Sequence, residues 1–377
     1  MEFKVNSVEL EKLLIKIIPA VPTRTPMPVL ENFLFDIKGG LLTIFATDLE
    51  ISLKSSLPVT TSDELSVVVP AKLLFDIVRS LKETDILFKV DSVGNKMQLI
   101  TDNGEYTITY LEADEYPDIP VFPGEENKDD VVELELAGSG LKYAFEHTSF
   151  AMSKEEMRPA MMGTLLEFVD EGLRFVATDG HRLVNMLMKG VGEGVDNQYI
   201  VPEKAVTVLG KLVDDNSVKV YLSKTHVSFI LKDIELITRL IGQKYPDYKS
   251  VIPLENEFHM KVKTKELQDA IKRMMLFSTS TTRRVKFSVA DNKLEISAED
   301  HDMGTAGKEN LFCEYDGEPL EIGFNSAYVN DILSHNPGEK ELTFNLHSPT
   351  KAVIIKPVEE KENIDLMMLL MPVRLNN

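Results

Sequence analysis

The apolar residues near the start of the chain repeat at helical spacing. Within residues 10–18 they recur at intervals of three and four, which is the pattern of a helix with one apolar face. Ser7 stands just before this segment and is the predicted N-cap of the helix. The same spacing predicts five more amphipathic helices, which start close to Pro70, Leu141, Pro202, Lys265 and Asn325.

Three apolar runs end in nearly the same polar turn. Leu42–Asp48 and Leu173–Asp179 both finish in Ala-Thr-Asp, and Leu294–Asp300 finishes in Ala-Glu-Asp. Apolar residues followed by small polar residues are typical of a strand that ends in a tight turn. The aspartates lie 131 and 121 residues apart, about one third of the 377-residue chain. The chain is therefore predicted to contain three copies of one unit.

Other landmarks keep nearly the same spacing. Pro70 and Pro202, each followed by a predicted helix, are 132 residues apart, and the Tyr-Pro-Asp sequences at Tyr116 and Tyr245 are 129 residues apart. Several independent landmarks at one period indicate a tandem repeat rather than chance. Each unit is predicted to contain a helix, strands, a second helix and further strands. We therefore predict an α+β protein of three two-helix domains, at residues 1–128, 129–254 and 255–377.

The composition changes this picture little. The chain is 43% apolar and 27% charged, as ordinary globular proteins are. Its single cysteine, Cys313, excludes an internal disulfide and is typical of a reducing compartment. The first residues lack the basic and apolar parts of a signal peptide, and the apolar run Leu366–Met371 is too short to span a membrane. We expect a soluble cytoplasmic protein with no membrane partner.

The net charge of −20 argues against nucleic acid, because phosphate binding needs clustered lysine and arginine. Many of the basic residues, however, fall on the polar faces of predicted helices. If equivalent helices of three domains lined one concave surface, these residues would give an acidic protein a positive lining. Solvated helix faces are the commoner explanation of such a pattern. The residues that would form the lining, most of them on these helices, are Lys12, Lys16, Arg24, Lys72, Arg79, Lys142, Lys154, Lys204, Lys211, Lys265 and Lys272.

The strongest catalytic candidate is the pair Asp179 and His181. Two residues apart at a strand end, they can share one face, and a carboxylate can orient an imidazole for acid–base chemistry. Asp48 recurs at the equivalent place without a histidine, which favours a turn-forming role for the aspartate. No nucleophile elbow, Walker loop or zinc-type cysteine spacing accompanies the pair. We therefore expect neither an enzyme, nor a metal site, nor a cofactor.

Short motifs along the whole chain resemble those of bacterial sliding clamps, the beta subunit of DNA polymerase III. The most specific is Thr178–Leu183, which resembles the signature turn in the middle domain of that family. The other motifs fall in the right order along the chain. They are Pro28–Asn32, Ala46–Glu50, Val69–Lys72, Tyr245–Tyr248, Gly323–Asn325 with Tyr328, and Met371–Leu375.

The resemblance implies three domains per chain and a head-to-tail homodimer whose six domains close as a ring around duplex DNA. Such a clamp is a processivity factor in DNA replication. It is retained by topology, so its lining needs only weak, sequence-independent attraction to phosphates. The resemblance therefore favours the basic lining over solvated faces. The partners it implies are the catalytic subunit of DNA polymerase III, the clamp loader, and other polymerases and repair proteins.

In the family, a pocket between the middle and last domains binds short apolar peptides of these partners. An apolar groove with a polar rim suits leucine and phenylalanine anchors. Carried over to matching positions, the pocket comprises Met161, Thr178, Gly180, His181, Arg182, Leu183, Pro246, Val251, Tyr328, Leu369, Met371, Pro372, Val373, Arg374 and Leu375.

The resemblance also implies the contact between the two subunits. Tyr106 and Ile108 of one subunit would contact Leu276 and Phe277 of the other.

The chain departs from the family pattern at a few positions. Ser250 stands where a basic residue commonly follows the Pro-Asp-Tyr turn, and Glu299 replaces the threonine of the first two units. Asn376 and Asn377 extend the usual terminal Arg-Leu. With the acidic composition, these departures leave a rival hypothesis open: a diverged clamp paralogue that acts as a tandem-domain protein scaffold without loading onto DNA.

Overall fold

The computed structural model describes residues 1–61, 63–122, 131–192, 194–359 and 361–375. Two features of the sequence analysis, the domain boundary between residues 128 and 129 and the extension of Asn376 and Asn377, lie outside these ranges. Within them, no helix is long and apolar enough to cross a membrane. The helices are α1 (Ser7–Ile17), α2 (Ala71–Ser80), α3 (Gly138–Thr148), α4 (Glu203–Leu212), α5 (Thr264–Met274) and α6 (Ser326–Ser334).

The strands follow one order in each third of the chain: a strand, a helix, four strands, a second helix and three strands, with an extra two-residue strand in the first and last thirds. This order confirms the predicted threefold repeat of an α+β domain. The first third holds β1 (Glu2–Asn6), β2 (Asn32–Lys38), β3 (Leu41–Thr47), β4 (Ile51–Pro58), β5 (Leu65–Pro70), β6 (Asp85–Asp91), β7 (Lys96–Thr101), β8 (Gly104–Thr109) and β9 (Leu111–Glu112). The middle third holds β10 (Val132–Ala137), β11 (Gly163–Val169), β12 (Gly172–Thr178), β13 (Arg182–Lys189), β14 (Gln198–Pro202), β15 (Ser217–Leu222), β16 (His226–Ile230) and β17 (Ile234–Arg239). The last third holds β18 (Phe258–Lys263), β19 (Arg284–Ala290), β20 (Lys293–Asp300), β21 (Thr305–Phe312), β22 (Glu314–Tyr315), β23 (Leu320–Asn325), β24 (Glu341–Leu346), β25 (Val353–Pro357) and β26 (Ile364–Leu370).

The chain divides into two compact units, of which the first comprises Met1–Ser139 with Thr207–Leu240. It holds a four-stranded sheet in the order β1-β6-β7-β8 and a nine-stranded sheet in the order β10-β15-β16-β17-β4-β3-β2-β5-β9. Helices α1 and α2 pack against each other, and their apolar faces are buried at Leu10, Leu14 and Leu74. The helical faces predicted from the apolar spacing therefore point into the core.

The second unit comprises Gly140–Val206 with Ile241–Asn377. Its nine-stranded sheet has the order β14-β11-β12-β13-β26-β25-β24-β18-β22, and its four-stranded sheet has the order β21-β20-β19-β23. Helices α5 and α6 pack against each other, with Leu267 and Ile332 buried. The middle third of the sequence is shared between the two units because each nine-stranded sheet takes four of its strands.

Strand pairing follows one rule in all three thirds. In each third, the first strand and the last three strands form one four-stranded set, and the four central strands form a second set. The last strand of the middle third, β17, pairs antiparallel with the third central strand of the first third, β4. Strand β26 pairs in the same way with β13. By this rule β8 and β21 are the strands left over, and each lies at the end of its sheet in the described part of the chain.

The start of α1 differs from the sequence prediction by one residue. The side chain of Asn6 accepts a hydrogen bond from the backbone N–H of Val8 at 3.0 Å, so Asn6 is the N-cap. Ser7 is buried and its hydroxyl instead bonds the segment before β6, donating to Lys82 O at 3.2 Å and accepting from Thr84 N–H at 3.0 Å. The prediction of a Ser7 cap is wrong because a tertiary contact takes the hydroxyl and an equally good cap precedes it.

Candidate functional site

The polar turns that follow β3 and β12 and end β20 share their hydrogen bonds. In each turn, Oδ1 of the aspartate accepts from the backbone N–H groups two and three residues further on, at 2.9–3.1 Å. Aspartate favours turns because its short carboxylate satisfies the backbone in this way. Asp48, Asp179 and Asp300 therefore form turns, as the repeat predicted.

In the middle copy, the aspartate also holds an arginine. Oδ2 of Asp179 accepts from Nε of Arg182 at 3.0 Å, and Nη1 of Arg182 donates to Oδ2 of Asp331 at 2.6 Å. The His181 ring stacks on Tyr328 with 5.8 Å between ring centroids. The carboxylate of Asp179 is therefore committed to the turn and to Arg182, which leaves it unsuited to orient His181 for catalysis. In the described part of the chain, no group of three or more His, Cys, Asp or Glu residues could hold a metal ion.

The glycine of the middle turn makes room for another arginine. Gly180 has φ of +88°, but Leu49 takes φ of 75° at the equivalent place in the first copy, so the backbone conformation alone does not require glycine. A Cβ at position 180 would lie 3.2 Å from Nη1 of Arg158 and 3.8 Å from Cε of Met161. Glycine therefore lets Arg158 and Met161 approach the turn closely.

This turn forms one wall of a cavity of about 490 Å³ in the second unit. Leu183 and Leu369 are buried beneath it in an apolar cluster, and Val251 and Met371 remain partly exposed at its surface. An apolar cleft of this size with few polar groups is typical of a ligand site. Its lining residues are Arg158, Met161, Thr178, Gly180, His181, Arg182, Leu183, Pro246, Asp247, Tyr248, Val251, Pro253, Lys351, Ala352, Leu369 and Met371.

The second wall is the 3₁₀ turn Tyr248–Val251, which a buried glutamate anchors. Glu167 on β11 is 5% exposed, and it accepts hydrogen bonds from the Tyr248 hydroxyl and, at 2.8 Å, from Nζ of Lys249. Gln198 donates to the same carboxylate at 3.0 Å. Burial raises the pKa of Glu167, but the hydrogen bonds from Lys249 and Tyr248 together lower it by more than burial raises it. The net shift of the pKa is therefore downward. The carboxylate therefore stays ionised and holds the wall in place.

Glu167→Gln should loosen this wall. The neutral amide cannot pair with Lys249, and we expect a loss of about 2 kcal/mol in stability, because hydrogen bonds to a charged group contribute about 1.5–3 kcal/mol. Since the folded pKa of Glu167 lies below its ordinary 4.5, its contribution is complete above that pH and is lost as the pH falls through the folded value. Thermal unfolding between pH 7 and pH 3 measures this, and the variant should lose less stability on acidification than the wild type. Equal losses would contradict the anchoring role.

The third wall comes from the last third of the chain. Lys351 and Ala352 lie in the connection before β25, and Lys351 Nζ donates to the backbone carbonyl of Glu255. The Asn256 amide donates to Asn345 O at 2.8 Å and to Ala352 O at 3.0 Å. These bonds fasten Glu255 and Asn256 to β24 and to the connection before β25. Pro253, two residues before Glu255, lines the cavity together with Lys351 and Ala352.

Arg182 ties the cavity to helix α6. Its guanidinium carbon lies 5.3 Å from the centroid of the Phe150 ring and 4.6 Å from that of Tyr328. The side chain is 10% exposed, and its two carboxylate partners, Asp179 and Asp331, are 15% and 39% exposed. Planar arginine suits such a site because it can stack on two rings and bond two carboxylates at once.

Most of the predicted pocket residues meet at the cavity. Those that line it are Met161, Thr178, Gly180, His181, Arg182, Leu183, Pro246, Val251, Leu369 and Met371. Tyr328 lies outside the lining, stacked on Arg182 and His181. Pro372, Val373, Arg374 and Leu375 also lie outside it, since Val373 N–H bonds Gly323 O at 2.8 Å at the edge of β23.

Sequence reasoning missed six lining residues. Asp247 and Tyr248 belong to the Tyr-Pro-Asp landmark next to Pro246, so the repeat contained a signal for them. Arg158 is three residues before Met161 and had no motif of its own. Pro253, Lys351 and Ala352 meet the other walls only through tertiary contacts, and no pattern in the sequence pointed to them.

The basic residues predicted to face DNA have varied surroundings, and their orientation toward DNA stays a prediction. Five have carboxylate partners: Lys12 with Glu9, Lys16 with Asp233, Arg79 with Asp76, Lys154 with Glu203, and Lys265 with Asp269. Lys16 is also half-buried. Burial lowers the pKa of Lys204. Of the others, Lys142 is half-buried, and Arg24, Lys72, Lys211 and Lys272 are exposed.

The residues predicted for the subunit interface lie at or near the unpaired strands. Tyr106 on β8 is 38% exposed, and Leu276, in the turn after α5, is 80% exposed. Phe277 packs against β21, where a Cβ at Gly307 would lie 2.6 Å from its ring. Ile108 is only 4% exposed. Its side chain therefore belongs to the core of its own sheet rather than to the exposed surface.

Three repeated two-helix domains, joined through their sheets and carrying an apolar pocket, define a protein of the DNA-clamp class. The chain matches three family models in sequence. They are the N-terminal domain of the DNA polymerase III beta subunit at residues 1–120, its central domain at residues 135–247, and its C-terminal domain at residues 249–374. The chain belongs to the DNA polymerase III beta subunit family.

Relatives support the same assignment. The beta sliding clamp of Pseudomonas aeruginosa is 30% identical over 379 residues and covers 100% of both chains. That of Escherichia coli K12 is 30% identical over 339 residues, which are 89% of this chain and 90% of its own. A crystal structure of the sliding clamp from Bartonella birtlesii bound to griselimycin has a TM-score of 0.92 at 30% identity, with 100% of both chains covered. The function is that of a DNA sliding clamp rather than of a scaffold unrelated to DNA.

Proposed function

We propose that two copies of this chain close head to tail into a ring of six domains that encircles duplex DNA and tethers the replicative polymerase. The domains of each copy would span residues 1–128, 129–254 and 255–377. The observation that carries the proposal is the pair of leftover sheet edges, β8 and β21.

The two edges are complementary by the pairing rule of the chain itself. A last strand meets a third central strand at β17 with β4 and again at β26 with β13, antiparallel each time. Pairing β8 of one copy with β21 of the next would repeat this joint a third time. Exposed edges favour such pairing, and a head-to-tail contact closes into a ring when its rotation allows. The exposed side chains of Tyr106 and Leu276 support the contact.

The basic residues on the helices would face the DNA. Several are paired with carboxylates, and exposed ion pairs of this kind contribute about 1 kcal/mol or less. Phosphates can therefore replace Glu9 beside Lys12 or Asp269 beside Lys265 at little cost. A weak and replaceable grip suits a ring that has to slide.

The pocket would bind short peptides with large apolar anchors. The partners are the catalytic subunit of DNA polymerase III, the clamp loader, and other polymerases and repair proteins. Sliding clamps of Bartonella birtlesii and Pseudomonas aeruginosa have been crystallised bound to griselimycin, which supports a ligand pocket in this fold. The role requires no catalysis, metal or cofactor, and it belongs in the cytoplasm, where the polymerase works.

Loading onto nicked circular DNA tests the ring. With a clamp loader and ATP, the protein should stay on the circle through a wash in high salt, because topology rather than phosphate contact retains it. Cutting the circle once should release it. Retention on the linear product, or failure to load at all, would refute the ring. Protein incubated with the circle without loader is the control, and it should wash off.

A further inference from the structure

Three cationic side chains line the cavity: Arg158, Arg182 and Lys351. The charge of Arg182 is already matched, because Asp179 and Asp331 both pair with its guanidinium, which also lies over the rings of Phe150 and Tyr328. A buried arginine with two carboxylates carries no surplus charge for a ligand. Arg182 therefore shapes the pocket but does not attract a charged group of the bound peptide.

Arg158 is already paired as well. Its Nε lies 3.2 Å from Oε2 of Glu155, three residues before it. Its Nη1 lies close to Gly180, so the side chain runs along the outside of the polar turn. An incoming carboxylate would have to compete with Glu155, which reduces the charge that Arg158 can offer.

Lys351 differs from both arginines. It is half-buried on the third wall, and its ammonium donates to a neutral acceptor, the backbone carbonyl of Glu255. Within the described residues no carboxylate lies within 4.0 Å of its Nζ. An ammonium has three N–H donors, so at least one remains for a ligand. Among the residues that the structure describes, Lys351 is therefore the pocket cation whose charge no carboxylate of the chain matches.

The opposite wall does not supply this charge. Position 250, where a basic residue was expected from the family pattern, is a serine whose Oγ donates to the backbone carbonyl of Asp247 at 2.7 Å. The neighbouring Lys249 turns away to the buried Glu167. Asp247 itself lines the cavity and adds a negative charge on that side. The rim is therefore asymmetric, with a carboxylate on the wall of the 3₁₀ turn and an unmatched ammonium on the wall before β25.

We propose that Lys351 determines the specificity of the pocket by selecting peptides that carry an acidic residue beside their apolar anchors. The inference rests on the proposed peptide-binding function and adds a preference to it. An apolar surrounding strengthens the attraction between the ammonium and a carboxylate, and charge complementarity gives specificity more than raw affinity. The acidic shell of the protein, with its net charge of −20, would repel such a peptide elsewhere, so the preference has to arise locally.

A peptide panel with matched variants tests the preference. The probes are fluorescein-labelled ten-residue peptides with Leu and Phe anchors, in which an Asp or an Asn occupies each flanking position in turn. Fluorescence polarisation gives the dissociation constants for the wild type, Lys351→Met and Lys351→Glu. We expect one position at which the wild type prefers Asp over Asn by about fivefold, because an ion pair with a half-buried, solvent-accessible lysine is much weaker than a fully buried one. Lys351→Met should remove this preference, and Lys351→Glu should reverse it.

A lysine on the neighbouring strand provides the control. Lys356 lies outside the cavity lining and pairs with Asp365 at 3.5 Å, so Lys356→Met removes one positive charge without touching the pocket. It should keep the Asp preference of the wild type. High salt should reduce the wild-type preference and leave the affinity of the Asn peptide almost unchanged.

The outcomes separate the two proposals. If Lys351→Met weakens Asp and Asn peptides equally, Lys351 only fastens the wall through Glu255, and the specificity inference fails while the peptide pocket stands. If the wild type binds every peptide without preference, the inference fails in the same way. If no peptide of the panel binds the wild type, both the inference and the proposed pocket function fail.

Discussion

Replacing Leu276 with arginine is expected to turn the proposed dimer into a monomer and to abolish its retention on circular DNA. The side chain is 80% exposed in the single chain, in a turn that contacts β20 and β21. In the proposed ring, the β8 edge of the other copy would cover it. An unpaired charge buried in such a contact costs several kcal/mol, and the ring would contain the contact twice. Light scattering after size exclusion should show the mass falling from twice the chain mass to the chain mass.

The fold of the single chain should not change, because Leu276 contributes little to its core. Val93→Arg is the matched control: Val93 is 96% exposed in the turn between β6 and β7, in the same sheet as β8 but away from its free edge. Val93→Arg should keep the dimer mass. At a dilution at which the wild type is monomeric, both variants should unfold at the wild-type temperature. A Leu276→Arg protein that kept the dimer mass would rule out this surface as the closing contact.

Arg182→Ala should have the largest effect on the pocket. It leaves Asp179 and Asp331 without their common partner and removes the cation between the rings of Phe150 and Tyr328. Breaking a mostly buried ion pair costs about 3 kcal/mol, which should appear as a lower unfolding temperature. Peptide affinity should fall by at least tenfold, because the polar turn and helix α6 are no longer held together. Differential scanning calorimetry and fluorescence polarisation measure the two effects.

Arg182→Lys and Arg158→Ala separate charge from geometry. Lysine keeps the charge but cannot bond two carboxylates and stack on two rings, so we expect an intermediate loss. Arg158 is 51% exposed at its side chain, and its removal should change stability by less than about 0.5 kcal/mol. If Arg182→Ala were as stable as the wild type, the arginine side chain would not be what holds the polar turn and helix α6 together.

The threefold repeat was readable in the sequence because its signals are local. The turn after each Ala-Thr-Asp strand forms when the aspartate carboxylate accepts hydrogen bonds from the backbone N–H groups two and three residues further on. Asp48 and Asp179 both make these bonds in the structure. The apolar faces of α1 and α5 likewise follow from spacing within one helix. Much of one pocket wall was readable too, since Gly180 to Leu183 adjoin that turn. The one local error, Ser7 in place of Asn6 as a cap, arose because a distant segment takes the Ser7 hydroxyl.

Only the tertiary structure decided which distant residues complete the site. Glu167 anchors Tyr248 and Lys249 across 81 and 82 positions of sequence, and Arg182 reaches Asp331 across 149. Lys351 enters the pocket through a bond to the backbone of Glu255, which no side-chain pattern can encode. The role of Ile108 was also not readable from the sequence, because an apolar side chain on a strand suits either a core or an interface. The structure places it in the core, where it is buried. The sequence by itself determined the repeated domain and its family, because those depend on periodic local choices. Packing determined the charge and shape of the pocket, because those depend on which surfaces the sheets bring together.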